Sequence, residues 1–370
     1  MKVMLEKKDL AEIVGSVARG AGVTPQTDGM LIEAANGRLR MTAHSFNLGI
    51  RLTTGEVEVK DEGSTVVKAN HFADLVKRLP DSVITLEIND NKLTIKYGRS
   101  KANLNTIGID QFAGWPVKET TELLKLPGKE IKKGFGSTAF ACAANHFRAI
   151  FTGVYVDAKV SEKELVFVGS DTHRLAIRRL PFEGFIEKNN FGFSIPVRNC
   201  TEISRVVKDD EVTVSSVGAG NIILFTGDNY EVFTSTIEGQ YPNYMAVIPK
   251  AFVGEVKVNG SFKSSMDRIL TLPTDDKVKI PQVNVEAGEG LTLSAFSEAA
   301  GEIKETLPLS YKGEALKTAF NAQYVVDALR MLPEDATIKF GGETAPSVFK
   351  PDFKDDKEDD YTIVLVPIRL

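Results

Sequence analysis

The chain has 370 residues, of which 42% are hydrophobic and 26% charged, with a net charge of −5; that composition is ordinary for a soluble globular protein and long enough for two or three domains, each with its own core. Its only cysteines, Cys142 and Cys200, lie far apart, which argues against a disulfide framework or a cysteine-rich metal site. No run of about 18 apolar residues offers a membrane span, the opening MKVMLEKKDLAEIV lacks a signal peptide's apolar core, and the acidic balance excludes a uniformly basic nucleic-acid binder while permitting charge sorted between faces.

In chain order, the first predicted element is a helix over Lys8–Arg19, with Leu10, Ile13, Val14 and Val17 on one face. Strands Met30–Glu33 and Arg38–Ala43 follow, turning at Asn36-Gly37. The segment Asn70–Pro80, NHFADLVKRLP, places Phe72, Leu75, Val76 and Leu79 at helical spacing, and Pro80 ends the helix because it cannot extend the backbone ladder. Strands Val83–Ile88 and Lys92–Tyr97 flank the turn Asn89-Asp90-Asn91. A cluster of Pro, Gly and Lys at Lys125–Gly128 marks a domain boundary. Lys132–Thr138 has the glycines of a phosphate loop but lacks the Gly-Lys-Ser/Thr ending that sets lysine on the phosphates.

A helix is predicted over Ser137–Phe151, with Phe140, Ala143, Ala144, Phe147 and Phe151 on one face. Strand Glu164–Val168 leads to Asp171, His173 and Arg174; an Asp-x-His in a turn is weak evidence for acid–base chemistry and reads first as a positioned turn. The helix Arg198–Lys208 sets Cys200, Ile203 and Val207 together, and strands Glu211–Val214 and Ile222–Thr226 follow, with Gly218-Ala219-Gly220 as their hairpin turn. After a second boundary at Pro249–Gly254 comes the helix Ser261–Thr271, with Ser261 as N-cap, and then strands Gln282–Glu286 and Leu291–Ala295. The segment Gln323–Pro333, QYVVDALRMLP, aligns without gaps on Asn70–Pro80: Asp327 matches Asp74, Arg330 matches Lys77, and Leu332-Pro333 matches Leu79-Pro80. The acidic run Asp352–Asp360 reads as a solvated loop before a last strand, Tyr361–Val366, and the histidines His44, His71, His146 and His173 show no metal-ligand spacing.

Helix pairs therefore recur with a period of about 125 residues, far beyond a solenoid repeat. We read three related α+β domains, residues 1–125, 126–250 and 251–370, each an antiparallel sheet on two helices. The predicted helices are net basic while the chain totals −5, so the remainder is acidic. A helix-lined surface meeting phosphate through Lys and Arg, with little sequence preference, is the reading that fits.

The stretches Arg148–Leu175 (RAIFTGVYVDAKVSEKELVFVGSDTHRL), Ile237–Pro249 (IEGQYPNYMAVIP) and Val364–Leu370 (VLVPIRL) resemble the β sliding clamp of bacterial DNA polymerase III. The resemblance implies three domains per subunit forming half a ring, two subunits closing head to tail, helices lining the hole and sheets outside. It implies a non-catalytic processivity factor without cofactor or metal, working in the cytoplasm on the nucleoid. Its partners would be double-stranded DNA, the polymerase III alpha subunit, a clamp loader and other proteins with clamp-binding motifs. A paralogue serving repair or drug tolerance, and an enzyme using Asp171 and His173, are the alternatives.

Carried over by position, the partner-peptide cleft would take Arg148, Phe151, Gly153, Ser170, Thr172, His173, Arg174, Leu175, Pro242 and Val247, completed by Asn321, Tyr324, Ser347, Val364, Leu365, Val366, Pro367, Ile368, Arg369 and Leu370. Here Ala149 and Ile150 replace an aromatic pair common beside the cleft, and Met245-Ala246 a basic pair found in some members. The ring contact would join Leu75, Ala102 and Leu104 to Thr271 and Leu272, with Lys77 and Lys101 available to Glu298, Glu302 or Glu305. The DNA-facing set would be Arg19, Lys77, Arg78, Arg198, Arg205, Lys208, Lys263, Arg268 and Arg330.

Overall fold

The computed structural model describes residues 1–89, 91–274, 280–352 and 360–369. Among them are six α-helices: α1 (Lys7–Val17), α2 (Ala69–Lys77), α3 (Gly128–Thr138), α4 (Val197–Val206), α5 (Gly260–Ile269) and α6 (Ala322–Met331). The chain divides into two compact units, one of residues 1–133, 184–188 and 198–237, the other of residues 134–183, 189–197 and 238–370.

In the first unit thirteen strands form one antiparallel sheet. Strands Gly29–Ala35 and Arg38–His44 bury alternate residues, Met30, Ile32 and Ala34 on one and Leu39, Met41 and Ala43 on the other, so one face meets α1 and α2. The sheet runs without a break from the amino-terminal repeat into the central one, because Leu48–Thr53 pairs with Tyr230–Ser235. At that seam a Cβ on Gly49 would sit 2.1 Å from the Phe233 ring, so only glycine admits the close approach. The segment that leaves the amino-terminal repeat is pinned to the same seam. His44 shares a 2.8 Å hydrogen bond with the Ala113 carbonyl, Trp115 meets Phe233 edge-on at 4.8 Å, and the Arg51 guanidinium lies 4.3 Å over Trp115 while bonding Glu231 at 2.6 Å.

The second unit contains a nine-stranded and a four-stranded sheet, again antiparallel. The longer one crosses between repeats in the same manner, with Arg174–Pro181 paired to Asp360–Leu365. Helices α5 and α6 bury Phe262, Met266, Ile269, Val325, Ala328 and Leu329 in a core shared with Val283, Leu291, Leu293 and Phe320.

The hairpins around Asn36-Gly37 and Gly218-Gly220 turn where expected, with positive φ at Asn36, Gly37, Gly218 and Gly220. The tip residue Asp90 and the center of the acidic run at 353–359 lie outside the described residues. The helix expected over Ser137–Phe151 is a correction. The helix is α3, one segment earlier, and it contains the residues weighed as a phosphate loop. Hydroxyls of Ser137 and Thr138 donate back to the Gly134 carbonyl, at 3.2 and 2.8 Å, at the point where α3 stops. Short 3₁₀ turns at Ala139–Ala141 and Ala149–Thr152 follow, and Phe147, expected in the core, is 92% exposed. The Lys125–Gly128 cluster, read as a domain boundary, comprises the end of strand Thr120–Pro127 and the start of α3.

Candidate functional site

The cleft is built on strand Arg174–Pro181, which lies between Glu164–Ser170 and Asp360–Leu365. Antiparallel register sets Leu175 opposite Val364, so two buried apolar side chains stand together at the strand end. The turn before it is held by its own side chains. Asp171 accepts from the backbone N–H groups of His173 (3.0 Å) and Arg174 (2.9 Å) and from Arg174 Nε (3.0 Å). Ser170 Oγ donates to the Arg174 carbonyl at 2.8 Å and accepts from Thr172 N–H at 3.2 Å. These bonds hold Thr172 at a φ of +76°, a conformation that costs a β-branched residue energy and needs such over-determination.

Arg174 continues the network. Its Nη1 donates to Asp327 of α6 at 2.8 Å, and its guanidinium lies 4.2 Å over the Tyr324 ring. Both Asp171 and Arg174 are nearly buried, so removing Arg174 would strand the Asp171 charge, whereas Arg174 would keep Asp327 if Asp171 were removed. Asp171 is therefore occupied as a turn brace, and His173 points to solvent with its carbonyl accepting from Val366 N–H at 2.9 Å. That bond and one from Ile368 N–H to the Ala319 carbonyl, at 2.7 Å, tie the carboxy-terminal tail beside the turn.

A cavity of about 240 Å³ opens here, lined by Arg148, Phe151, Ser170, Thr172, Arg174, Leu175, Tyr241, Pro242, Asn243, Tyr244, Val247, Val364 and Val366. Its walls are mostly apolar with a few polar groups at the margin, the usual character of a site that captures an apolar side chain. Tyr241 stacks on Tyr155 at 4.7 Å, and the Tyr244 hydroxyl donates to Asp157 at 2.7 Å. Burial, then the Asp157 carboxylate, pushes the Tyr155 phenol up to about 12, and burial with the Asp157 hydrogen bond holds Tyr244 above the ordinary tyrosine range. These phenols are thus neutral in ordinary buffers and act as walls and donors.

Of the positions carried over by resemblance, ten line this cavity. The others sit around it. Gly153 opens the strand beyond Phe151; Asn321 caps α6 by accepting from Gln323 and Tyr324 N–H; Ser347 is buried opposite Leu365 in the sheet; Pro367 is buried and Arg369 exposed. Leu370 lies outside the described residues. Tyr241, Asn243 and Tyr244 were missed, although the aromatic spacing around Pro242 in QYPNYM was the available signal.

The basic candidates differ in how free they are. Arg268 is held bidentately by Glu305 at 2.7 and 2.6 Å, and Lys263 donates to the carbonyls of Leu332 and Pro333. Arg19 and Arg205 share Glu202, and Arg78 and Arg330 make intrahelical contacts to Asp74 and Asp327. Lys77, Arg198 and Lys208 are exposed. With α3 misplaced, exposed Lys129 was overlooked. Leu75, Ala102, Leu104 and Leu272 are half-buried and Thr271 is exposed. Among the described residues no cluster of His, Cys, Asp and Glu could hold a metal ion, and no helix is long and apolar enough to cross a membrane.

A threefold repeat of helix pairs on antiparallel sheets, carrying an apolar cleft whose charged groups serve to brace a turn, defines a binding scaffold of the DNA-clamp class. The chain belongs to the DNA polymerase III beta subunit family: models of the family's N-terminal, central and C-terminal domains match residues 1–116, 125–243 and 245–369. The beta sliding clamp of Staphylococcus epidermidis is 29% identical over 358 residues, covering 93% of this chain and 92% of the relative. That of Bacillus subtilis is 26% identical with both chains covered in full. The solved DNA polymerase sliding clamp of B. subtilis superposes with a TM-score of 0.88 at 25% identity, over 100% of this chain and 99% of that one. The beta subunit from the DNA polymerase of Streptococcus pyogenes gives 0.90 at 22% identity with both covered in full, a likeness of fold. The protein is a DNA sliding clamp, a non-catalytic processivity factor of DNA polymerase III, and works with DNA and a polymerase.

Proposed function

We propose that two copies close head to tail around duplex DNA, on the nucleoid, and that partners dock by inserting short peptides with Leu or Phe anchors into the cleft at Leu175, Pro242, Val247, Val364 and Val366. Those partners are the polymerase III alpha subunit, the clamp loader and other proteins bearing clamp-binding motifs. The cavity of about 240 Å³, apolar and closed on one side by the pinned carboxy-terminal tail, is the observation that carries the peptide reading. In the same reading the domains are residues 1–125, 126–250 and 251–370.

The ring draws support from a recurring seam. The amino-terminal repeat lends Leu48–Thr53 to Tyr230–Ser235 of the central one, which lends Arg174–Pro181 to Asp360–Leu365 of the last. The corresponding strand of the last repeat, Gly301–Leu307, is a sheet edge, and in the first repeat Ser100–Ile107 meets Gly63–Lys68 only at Thr106 and Ile107. Two open edges of matching kind suit a third seam made between copies. Leu75, Ala102, Leu104, Thr271 and Leu272 would border it; Glu305, already taken by Arg268, would leave Glu302 for Lys101. Lys77, Arg198 and Lys208 are the cations best placed to reach phosphate, with Arg19, Arg78, Arg205, Lys263, Arg268 and Arg330 first having to leave their present partners.

The test is a polymerase alpha-subunit tail peptide titrated calorimetrically into the full chain and into a chain lacking Val366–Leu370. Micromolar or tighter binding to the first and none to the second, with both still dimeric, is expected. Equal affinity for both would rule the cleft out.

A further inference from the structure

We infer that the cleft continues past Phe151 over His146 and Phe147, and that this outer subsite takes an aromatic side chain lying beyond the anchors of the partner peptide; the inference rests on the peptide-binding reading above. A lone exposed phenylalanine needs no explanation. Phe147, at 92% exposure, is instead the solvent end of a continuous file of rings. It stacks on His146 with centroids 4.5 Å apart, His146 meets Phe151 edge-on at 5.0 Å, Phe151 faces Tyr241 at 6.1 Å, and Tyr241 stacks on Tyr155 at 4.7 Å. Phe151 and Tyr241 are walls of the cavity, so the file leads from the cleft to Phe147 without interruption.

The rim is also pre-set. Arg148 N–H donates to His146 Nδ1 at 3.1 Å, which fixes the imidazole that Phe147 stacks on. The Arg148 guanidinium lies 5.0 Å over Phe151. A ring presented on an ordered support loses little freedom on binding, which suits capture of a second ring by stacking or edge contact. The commitment to an aromatic occupant follows from the file: its members already meet one another at the separations that aromatic pairs prefer, and the last position is open.

The experiment uses calorimetry on the full chain and five peptides: a hexapeptide with adjacent Leu and Phe anchors, versions extended by a Gly-Ser spacer and Trp at either end, and the same two extensions with Ala in place of Trp. Each Trp peptide is compared with its Ala counterpart. One Trp extension should tighten binding about threefold to tenfold. Phe147→Ala should erase that gain, keep the wild-type affinity for the hexapeptide and melt at the wild-type temperature, while Phe147→Tyr should restore the gain. Trp adding nothing at either end, or a gain that survives Phe147→Ala, would overturn the subsite and leave the cleft intact. A hexapeptide that does not bind at all overturns the cleft and the subsite with it.

Discussion

Gly134 shows how one residue decides where a helix can lie. In α3 a Cβ at this position would come within 2.5 Å of the buried Phe167 ring, which Phe135 also meets edge-on at 5.4 Å. Gly134→Ala gains about 1 kcal/mol of helix propensity but overpacks a filled site. We expect a net loss of about 1–3 kcal/mol in urea unfolding, and an unchanged midpoint would mean the ring has room to move. The two cysteines make a second residue-scale case. Neither is in a disulfide and both are buried, and burial pushes the Cys142 thiol up to about 12. Because the thiolate is the reactive form, a raised value means a neutral, inert thiol at pH 8. Native chain should take up no iodoacetamide at pH 8, and both cysteines should be modified after unfolding; rapid labelling of the native chain would contradict this.

At the scale of elements, the decisive features are strand ends and edges. The strands Arg174–Pro181 and Asp360–Leu365 create the cleft because their register brings Leu175 to Val364 where the braced turn begins. The strands Ser100–Ile107 and Gly301–Leu307 matter for the opposite reason, that part of each is left unpaired. Leu272 lies beside the second of these sheets, half-buried at a cavity of about 300 Å³ that it shares with Pro273, Ile280 and Phe296. Leu272→Asp places a carboxylate where the proposed seam would remove it from water without a partner, a cost of several kcal/mol. In native mass spectrometry at micromolar concentration the wild type should appear as a dimer and the variant as the single 40.4 kDa chain. A wild type that stays monomeric, or a variant that stays dimeric, counts against the seam.

For the whole molecule, the proposal turns on retention by closure rather than affinity. Few cations on the helices are free of internal partners, so direct attraction to DNA should be weak. It should fade with salt at a log–log slope of about −0.9 for each phosphate neutralised. A closed ring has no need of that attraction, since escape requires opening a seam or reaching an end of the DNA. Loaded onto nicked circular DNA by a clamp loader, the protein should survive a high-salt wash, and linearising the circle should then release it quickly. Equal retention on circular and linear DNA would show ordinary binding.

The repeat and the fold class were legible in the sequence because both rest on local periodicity. The matched faces of Asn70–Pro80 and Gln323–Pro333 became α2 and α6, and alternating runs such as Arg38–His44 became strands. The central repeat was misread at its first helix because three glycines within α3 lower its propensity, and what favours glycine at position 134 is Phe167, some thirty residues away. Cleft positions such as Leu175 and Val364 came through resemblance, and their chemistry alone would not have paired them. Their meeting depends on register between strands separated by more than a full repeat, as does the bond of Arg174 to Asp327. Local pattern fixes which residues turn inward, while pairing across long loops decides which of them meet. That is why the sequence by itself determined three α+β repeats with basic helices, and only the tertiary structure decided where the sheets join, which edges stay open and what surrounds the cleft.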